Sequence, residues 1–241
     1  MVYGREYGGR VLSFEPSGAL WEATLVMRDR ETDSWWSIVT GDAVGGDLKG
    51  QKLLELPVGE KVRWGEWRER YPDTQVLSVD GREHDPRNPY AGYFNSDRTF
   101  QHLDAKDPRL PAKEPIFAFD LDDGRYAVPH SAIEDGASIV IGDNEIFLFR
   151  RTGADVFEST RAYIVTPSAS PKKTRIRKQN GVWVDSKSGA EFSPLSGFPD
   201  DPENVAKLVG FDTFWYSFAN IVSGAVILNG VSPGSPILEI Q

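Results

Sequence analysis

Cysteine is absent from the 241 residues of this chain. Its absence excludes disulfide bonds, thiolate metal sites and a cysteine nucleophile. Histidine is almost as scarce, because only His84, His102 and His130 occur, and no two of them have the spacing of a helical metal-binding pair. We therefore predict no metal site and no cofactor. Any chemistry would have to use Asp, Glu, Ser, Tyr, Lys or one of these three histidines.

Long hydrophobic runs and a positive charge balance are missing as well. The longest apolar runs, such as residues 146–149 and 225–228, fall far short of the roughly 18 residues that a spanning helix needs. Residues 1–10 lack the apolar core of a secretory signal. The net charge of −9 opposes binding to phosphate backbones. We expect no membrane span and no nucleic-acid partner, and a cytoplasmic location by default, or the cell envelope if the N-terminus has been trimmed.

The residues that are present favour short strands. Gly, Pro and Trp are frequent and long runs of Ala, Leu, Glu and Lys are rare, which predicts an α+β fold that is mostly antiparallel β with short helices. Two hairpins are predicted, over residues 116–128 and 138–149, each with a turn rich in Asp and Gly. The acidic turn at residues 120–124 is one residue short of a calcium loop and lacks its distal Glu, so it is assigned to the first hairpin.

Two segments of the chain match each other without gaps. Residues 29–41 align with residues 185–197 at an offset of 185 − 29 = 156, and Asp, Thr/Ser, aromatic, Ser, aliphatic, Thr/Ser and Gly recur in that order. Residues 64–67 align with residues 215–218, and both blocks carry two aromatic residues on one face of a helical turn. We predict two diverged copies of one unit, packed as one compact body around a shared aromatic core.

The repeat defines the predicted domain organisation. Each copy should end in a short helix and a strand, with Pro72 ending the first helix and Asp212 acting as the N-cap of the second. The predicted parts are a first, N-terminally shortened repeat (1–84), a crossing segment (85–114), a second repeat (115–230) and a tail (231–241).

Several blocks of the sequence also occur in a known family. They are MRDRET (27–32), GDA (41–43), LP (56–57), WGEW (64–67), PDTQVL (72–77), NPYAGY (88–93), DPRLPAKE (107–114) and FW (214–215). From about Gly9 to Leu228 the chain resembles the bacterial and archaeal domain-of-unknown-function family 3179. The resemblance implies no established activity. Members of that family usually carry a Cys-Pro-x-Cys motif ahead of the first block, and since this chain has no cysteine, no thiol or metal role is carried over.

Charged residues cluster at the first copy of the repeated turn. Asp29 has a counterpart in Asp185, so a structural role at the mouth of the turn is the simpler interpretation for it. The arginines on either side occur only in the first copy, and Trp35 aligns with Glu191, which leaves its ring free to stack on a sugar. A solvated turn is the alternative. The predicted ligand-binding candidates are Arg28, Asp29, Arg30, Trp35, His84 and Asp85.

A basic stretch follows the two predicted hairpins of the second copy. Residues 172–178 hold five positive charges, and their alternation indicates a strand with one cationic face. Such a face is either simply solvated or a surface for an anionic ligand or partner. The candidates for that surface are Lys172, Lys173, Arg175 and Arg177.

Catalytic motifs are missing, and this leaves two functional hypotheses. No G-x-S-x-G, P-loop or G-x-G-x-x-G motif occurs in a strand-to-helix context, and serines shared by both copies fit turn geometry better than nucleophilic attack. The first hypothesis is a non-catalytic domain that binds an unknown small molecule or protein partner. The alternative is an enzyme for a small polar or carbohydrate substrate, with acid–base work by Asp29, Asp85 or His84.

Overall fold

Short, mainly antiparallel strands make up most of the regular secondary structure. A computed structural model describes residues 1–56, 59–78, 89–122, 124–156, 158–165, 175–194, 196–198 and 205–229. The strands are β1 (Glu6–Tyr7), β2 (Arg10–Val11), β3 (Phe14–Trp21), β4 (Thr24–Asp29), β5 (Trp35–Ser37), β6 (Ala43–Gly45), β7 (Pro115–Leu121), β8 (Gly124–Pro129), β9 (Ala137–Ile141), β10 (Asn144–Phe149), β11 (Arg161–Val165), β12 (Ile176–Gln179), β13 (Val182–Asp185), β14 (Val205–Lys207), β15 (Phe211–Phe214) and β16 (Val226–Ile227). The predicted α+β, mainly antiparallel fold class is confirmed.

The helices are short. They are α1 (Trp64–Arg70), α2 (Ala91–Phe94) and α3 (Trp215–Ala219), with 3₁₀ turns at Phe100–His102 and His130–Ala132. As predicted, α1 ends ahead of Pro72, whose ring cannot continue a helix. In the described part of the chain, no helix has the length and apolar character to cross a membrane.

The central layer is a four-stranded sheet in the order β15-β7-β8-β16, in which β8 and β16 run parallel and the other pairs antiparallel. Alternate residues of β7 point to opposite faces. Phe117 and Phe119 pack on the isoleucines of a second sheet, β14-β11-β10-β9, whereas Ile116 and Ala118 pack on Trp215 of α3. The middle sheet is therefore buried on both faces, which explains why β7 is apolar along most of its length.

The N-terminal part forms its own sheet, β3-β4-β5-β6. Trp36 is fully buried in it and packs against Leu12, Ala43 and Leu53. The rings of Tyr7 and Phe14 approach Trp36 edge-on, each at 6.1 Å between centroids. A further cluster on the outer face of the second sheet surrounds Phe192, the counterpart of Trp36 in the sequence alignment. Two aromatic cores therefore replace the single shared one that the repeat predicted.

Both predicted hairpins are confirmed. β7 and β8 pair as far as Leu121 opposite Gly124, so the acidic segment is a tight turn between two strands. β9 and β10 pair up to Ile141 opposite Asn144. The Asn180-Gly181 dipeptide closes the β12–β13 hairpin with positive φ at both residues, the backbone that a two-residue turn of this type requires.

The two aligned segments share a hydrogen-bond pattern at the same offset of 156. The amide of Asp29 donates to the carbonyl of Ser34 at 3.0 Å, and the amide of Asp185 donates to that of Ala190 at 2.9 Å. The glycine that closes each segment donates its amide N–H to the backbone carbonyl of the serine four positions earlier, at 2.9 and 2.7 Å. The local geometry of the two segments is thus alike, and their descent from one ancestral unit stays a prediction.

The aspartate of each segment is buried and is satisfied in a different way. Asp29 accepts a bond from the indole Nε1 of Trp36 at 2.8 Å. Phe192 takes the place of that Trp in the second segment and has no donor. There Arg175 reaches Asp185 instead, with Nε at 2.5 Å and Nη2 on the other oxygen, and both side chains are 1% exposed. The second aspartate is therefore satisfied by an ion pair where the first has a neutral donor.

Four details of the sequence interpretation are corrected. Trp64 is 46% exposed and does not pack in the core, because α1 has no buried residue. Residues 76 and 77 form no strand, and Leu77 is 87% exposed.

Arg175 does not lie on a cationic surface, because it is buried against Asp185. Asp212 is a strand residue and not an N-cap.

The predicted domain limits stay predictions. The boundary at 114/115 coincides with the start of β7 at Pro115. The limits at 84/85 and 230/231, and the tail 231–241, lie outside the described residues.

Replacing Asp185 by Asn should destabilise the protein. The amide cannot neutralise Arg175, and breaking a buried ion pair costs about 3–5 kcal/mol. Hydrogen bonds from Arg175, Ser188 and Lys187 outweigh burial and lower the pKa of Asp185 to about 2. The stabilisation by the carboxylate is therefore complete above pH about 4 and is lost as the pH falls towards 2. Over that range, the free energy of unfolding of the wild type should approach that of Asp185→Asn by about 2 kcal/mol. Urea unfolding at several pH values measures both effects.

Asp135→Asn is the matched control. The carboxylate of Asp135 pairs with Lys178, which lies on the same hairpin as Asp185, and the side chain of Asp135 is 51% exposed. The loss in free energy of unfolding should therefore stay below about 1 kcal/mol and show little pH dependence. An Asp185→Asn variant as stable as Asp135→Asn at neutral pH would contradict the role assigned to the buried pair.

Candidate functional site

A pocket of about 280 Å³ opens beside β15. Its lining comes from segments that are distant in the sequence. Lys61 precedes α1, Tyr93 and Phe94 belong to α2, His130 begins a 3₁₀ turn, and residues 212–214 belong to β15. We call this cavity the aromatic pocket. The fold, and not a local motif, brings these side chains together.

The floor of the aromatic pocket contains a buried carboxylate. The side chain of Asp212 is 4% exposed. Thr160 donates its amide to one carboxylate oxygen at 2.8 Å and its hydroxyl to the other at 2.5 Å. Nη1 of Arg150 lies 3.2 Å from the second oxygen, and Nε2 of His130 lies 2.9 Å from it. Four donors around one carboxylate satisfy an ion that has been removed from water.

Strand β15 sets the direction of this carboxylate. β15 pairs antiparallel with β7, and Asp212 lies opposite Phe117. Residues two apart on a strand share a face, so Asp212 and Phe214 both reach the pocket. The expected N-cap role of Asp212 is wrong because the strand continues to Phe214, and Phe214 precedes α3 without any side-chain cap.

The surroundings of Asp212 keep it ionised. Burial by itself would raise the pKa of Asp212, but hydrogen bonds from His130 and Thr160 outweigh burial and lower the pKa below its ordinary value. A charged carboxylate accepts hydrogen bonds only, so Nε2 of His130 is the donor in this pair. Asp212 therefore fixes both the orientation and the tautomer of the imidazole.

Arg150 supplies the balancing charge. Its side chain is 3% exposed, and besides Asp212 it donates to the carbonyls of Glu158 at 2.7 Å and Asp155 at 2.9 Å. Burial lowers the pKa of Arg150, and the charge of Asp212 opposes this effect. A guanidinium stays protonated in proteins. The pair is therefore an ion pair with a net charge of zero beneath the pocket.

One wall of the pocket is aromatic. The rings of Tyr93, Phe94 and Phe214 pack on one another with centroids 5.2, 6.0 and 5.7 Å apart. Nζ of Lys113 lies 4.0 Å from the centre of the Tyr93 ring and donates to the backbone carbonyls of Tyr93 and Ser96. The hydroxyl of Tyr93 lies 2.8 Å from that of Tyr216, and burial together with this bond raises the pKa of Tyr93. Lys113 and Tyr216 therefore fix the position of Tyr93 in this wall.

Two of the polar side chains that line the cavity each keep one group without a fixed partner in the described part of the chain. Among the described residues, none bonds to Nδ1 of His130 or forms an ion pair with Nζ of Lys61, and both residues line the pocket. The backbone of Lys61 is held by Ser159, in bonds of 2.8 and 2.9 Å. Nearby, burial raises the pKa of Glu114, and the charge of His130 partly opposes that shift. The pocket thus offers one imidazole nitrogen and one ammonium group to a ligand.

The candidates at the first repeated turn lie elsewhere. Asp29 is buried, and its carboxylate is used by Thr32 and Trp36. Arg28 and Arg30 are exposed and pair with acidic neighbours, Glu15 among them. Trp35 is 40% exposed and lies across the sheet from Arg28. Arg28 and Trp35 lie opposite each other on neighbouring strands, and none of these residues is in the described lining of the aromatic pocket.

The remaining candidates do not meet at one site either. His84, Asp85, Lys172 and Lys173 lie outside the described residues. Arg177 is exposed on β12, whereas Arg175 is buried. No group of three His, Asp or Glu side chains within the described ranges is arranged to hold a metal ion.

Sequence reasoning missed the pocket, although one signal was present. Asp212 interrupts an apolar run, Gly210 to Trp215, and a carboxylate inside a buried strand needs partners and so marks a position of interest. His130 follows Pro129 directly after the apolar strand β8. The pairing of these two residues, 82 positions apart, leaves no trace in local sequence.

Comparison with known proteins identifies the family. The model of the family described as "Protein of unknown function (DUF3179)" matches residues 1–223, so the chain belongs to that family. No curated protein and no solved structure matches the chain. The family carries no activity over to the aromatic pocket, and the chemistry of the pocket has to be argued from its own side chains.

Replacing Arg150 by Met should strongly destabilise the protein. The substitution keeps most of the side-chain volume but leaves the charge of Asp212 buried without its cation, a loss of about 3–5 kcal/mol. Urea unfolding at neutral pH measures it.

Arg151→Met is the control from the next position. The side chain of Arg151 is 40% exposed and pairs with Glu158, so the loss should be below about 1 kcal/mol. Equal stability of the two variants would show that the ion pair below the pocket has no structural role.

Proposed function

We propose that this chain is a binding domain for a small molecule and that the ligand occupies the aromatic pocket. The observation that supports this most is the combination of an aromatic wall with two polar groups, Nδ1 of His130 and Nζ of Lys61, that have no partner among the described residues. Binding sites for small molecules are concave and mostly apolar, with a few placed polar groups that orient the ligand.

The rigidity of the pocket supports binding without a large ordering cost. Asp212 fixes the imidazole of His130, and Lys113 and Tyr216 hold Tyr93. Groups that are already fixed lose little conformational entropy when a ligand arrives. The volume of about 280 Å³ lies at the lower end of the roughly 300–1,000 Å³ of drug-sized sites, so the expected ligand is small.

The exposed face of the β3-β4-β5-β6 sheet is a weaker candidate for a binding site than the aromatic pocket. Trp35 and Arg28 lie opposite each other on this face, and Arg28 and Arg30 are already paired with acidic side chains. A macromolecular partner would have to compete with these pairs. The aromatic pocket requires no such exchange.

Filling the pocket should abolish binding. Val156 lines the cavity, and Val156→Phe would place a ring in the space of the ligand. A set of small flat aromatic compounds of differing charge should include members that raise the melting temperature of the wild-type protein, because a ligand that binds the folded state stabilises it by mass action. The same compounds should leave the melting temperature of Val156→Phe unchanged.

Val182→Phe provides the control. Val182 is 38% exposed on the β12–β13 hairpin, away from the pocket lining, so this variant should respond to the compounds as the wild type does. If no compound binds, or if Val156→Phe binds as well as the wild type, the proposal is wrong.

One observation favours an enzyme as the second candidate. His130 lines the pocket, is bonded through Nε2 to an ionised aspartate and has no described partner at Nδ1, an arrangement suited to general-base catalysis. On this hypothesis the acid–base residue is His130, in contrast to Asp29, Asp85 or His84. The step within reach is removal of a weakly acidic proton from a small substrate by Nδ1, with Asp212 stabilising the imidazolium.

Proton abstraction can be followed without knowing the product. Compounds that bind in the thermal experiment are incubated with the protein in deuterium oxide, and exchange at carbon is recorded by proton NMR. An enzyme should catalyse exchange, and His130→Gln, checked for folding by near-ultraviolet circular dichroism, should slow it by about 10²–10⁴-fold. Binding without any exchange supports the non-catalytic domain.

A further inference from the structure

We infer that the ligand of the aromatic pocket is a small, flat monocarboxylate whose apolar body lies on the ring wall and whose carboxylate is held between Lys61 and His130. This inference rests on the proposed function, and it goes further by assigning the chemical class of the ligand.

The charge of the lining argues for an anion. Asp212 is the one carboxylate among the described lining residues, and Arg150 beneath it neutralises its charge. Lys61 adds a positive charge at the rim, with no described acidic partner. Lys113 adds a second one behind the wall, 5.0 Å from the centre of the Phe214 ring. A ligand therefore meets a positive potential, which favours a negative group.

The number and type of the donors argue for a carboxylate. Nζ of Lys61 supplies one donor. Nδ1 of His130 supplies the second in the imidazolium form, in which Nε2 still donates to Asp212, so one carboxylate can bond to both side chains. A phosphate group is usually bound by several amides or by an arginine fork. Among the described residues, the arginine next to this site is Arg150, which is buried and already donates to Asp212 and to two backbone carbonyls.

The shape of the wall argues for a flat apolar body. Tyr93, Phe94 and Phe214 present ring surfaces, and Pro115 and Val156 complete the apolar part of the lining. Aromatic rings pack on one another in offset or edge-on geometries that add to simple area burial. A flexible or strongly hydrated ligand would gain less from these rings than a planar one.

Three probes of one shape test the charge requirement. Benzoate, benzamide and benzylamine share a ring and differ in charge, and inorganic phosphate supplies an anion without the ring. Binding is measured by chemical-shift titration of the full chain at pH 6. Benzoate should bind at least about tenfold more tightly than benzamide, since a charged hydrogen bond contributes at least about 1.4 kcal/mol. Benzylamine and phosphate should bind more weakly than benzoate.

Substitution of the ammonium group completes the test. Lys61→Ala should reduce the preference for benzoate over benzamide to about twofold or less and leave benzamide binding unchanged. Lys49→Ala removes an exposed lysine of the β6 region, away from the pocket lining. It should change neither the preference for benzoate nor the binding of benzamide.

The outcomes separate the two proposals. Equal binding of benzoate and benzamide, tighter binding of benzylamine or of phosphate, or a preference that survives in Lys61→Ala would each overturn the carboxylate inference while leaving a binding pocket in place. If none of the three aromatic probes shifts resonances of the pocket residues, the proposed function fails, and the inference fails with it.

Discussion

A carboxylate that is taken out of water must be given donors, and Asp212 obtains four of them from three different parts of the chain. Thr160 precedes β11, Arg150 follows β10 and His130 follows β8. The bonds to one side chain therefore join the central sheet to the second sheet at their shared end. If the three segments were placed differently, the charge would be unsatisfied, at a cost of several kcal/mol. The position of the aromatic pocket depends on this requirement, because His130 and β15 form its floor.

The same requirement is met twice more, in the two aligned turns. Asp29 and Asp185 are both buried, and each accepts bonds from a hydroxyl three residues further on. They differ in the last donor. An indole completes the first site, whereas the second has Phe192 in place of the Trp and uses Arg175. If the two segments are copies of one unit, as predicted, the loss of the indole donor and the gain of the arginine belong together, since either change alone would leave a buried polar group without a partner.

The sequence predicted those parts of the fold that local chemistry determines. Turns rich in Asp and Gly favour the backbone conformations that close hairpins, and Pro72 prevents a helix from continuing. Trp64 failed as a core residue because an aromatic spacing shows that two rings share a helix face but not whether another element covers that face. Asp212 failed as an N-cap because capping residues are also ordinary buried ion partners, and only the tertiary pairing distinguishes the two. The aromatic pocket joins residues from positions 61 to 214, so no window of the sequence contained it.

The buried ion pair beneath the pocket is an expensive way to stabilise a fold. A well-packed apolar pair of similar volume is often as stable as a buried ion pair or more stable, because it avoids the desolvation of two charges. Arg150 and Asp212 therefore call for an explanation other than stability. Their arrangement provides one, since Asp212 fixes the imidazole of His130 while Arg150 keeps the local charge balanced. An apolar pair would fill the same space but leave His130 free to rotate, and the pocket would lose the one polar group on its floor whose direction is set.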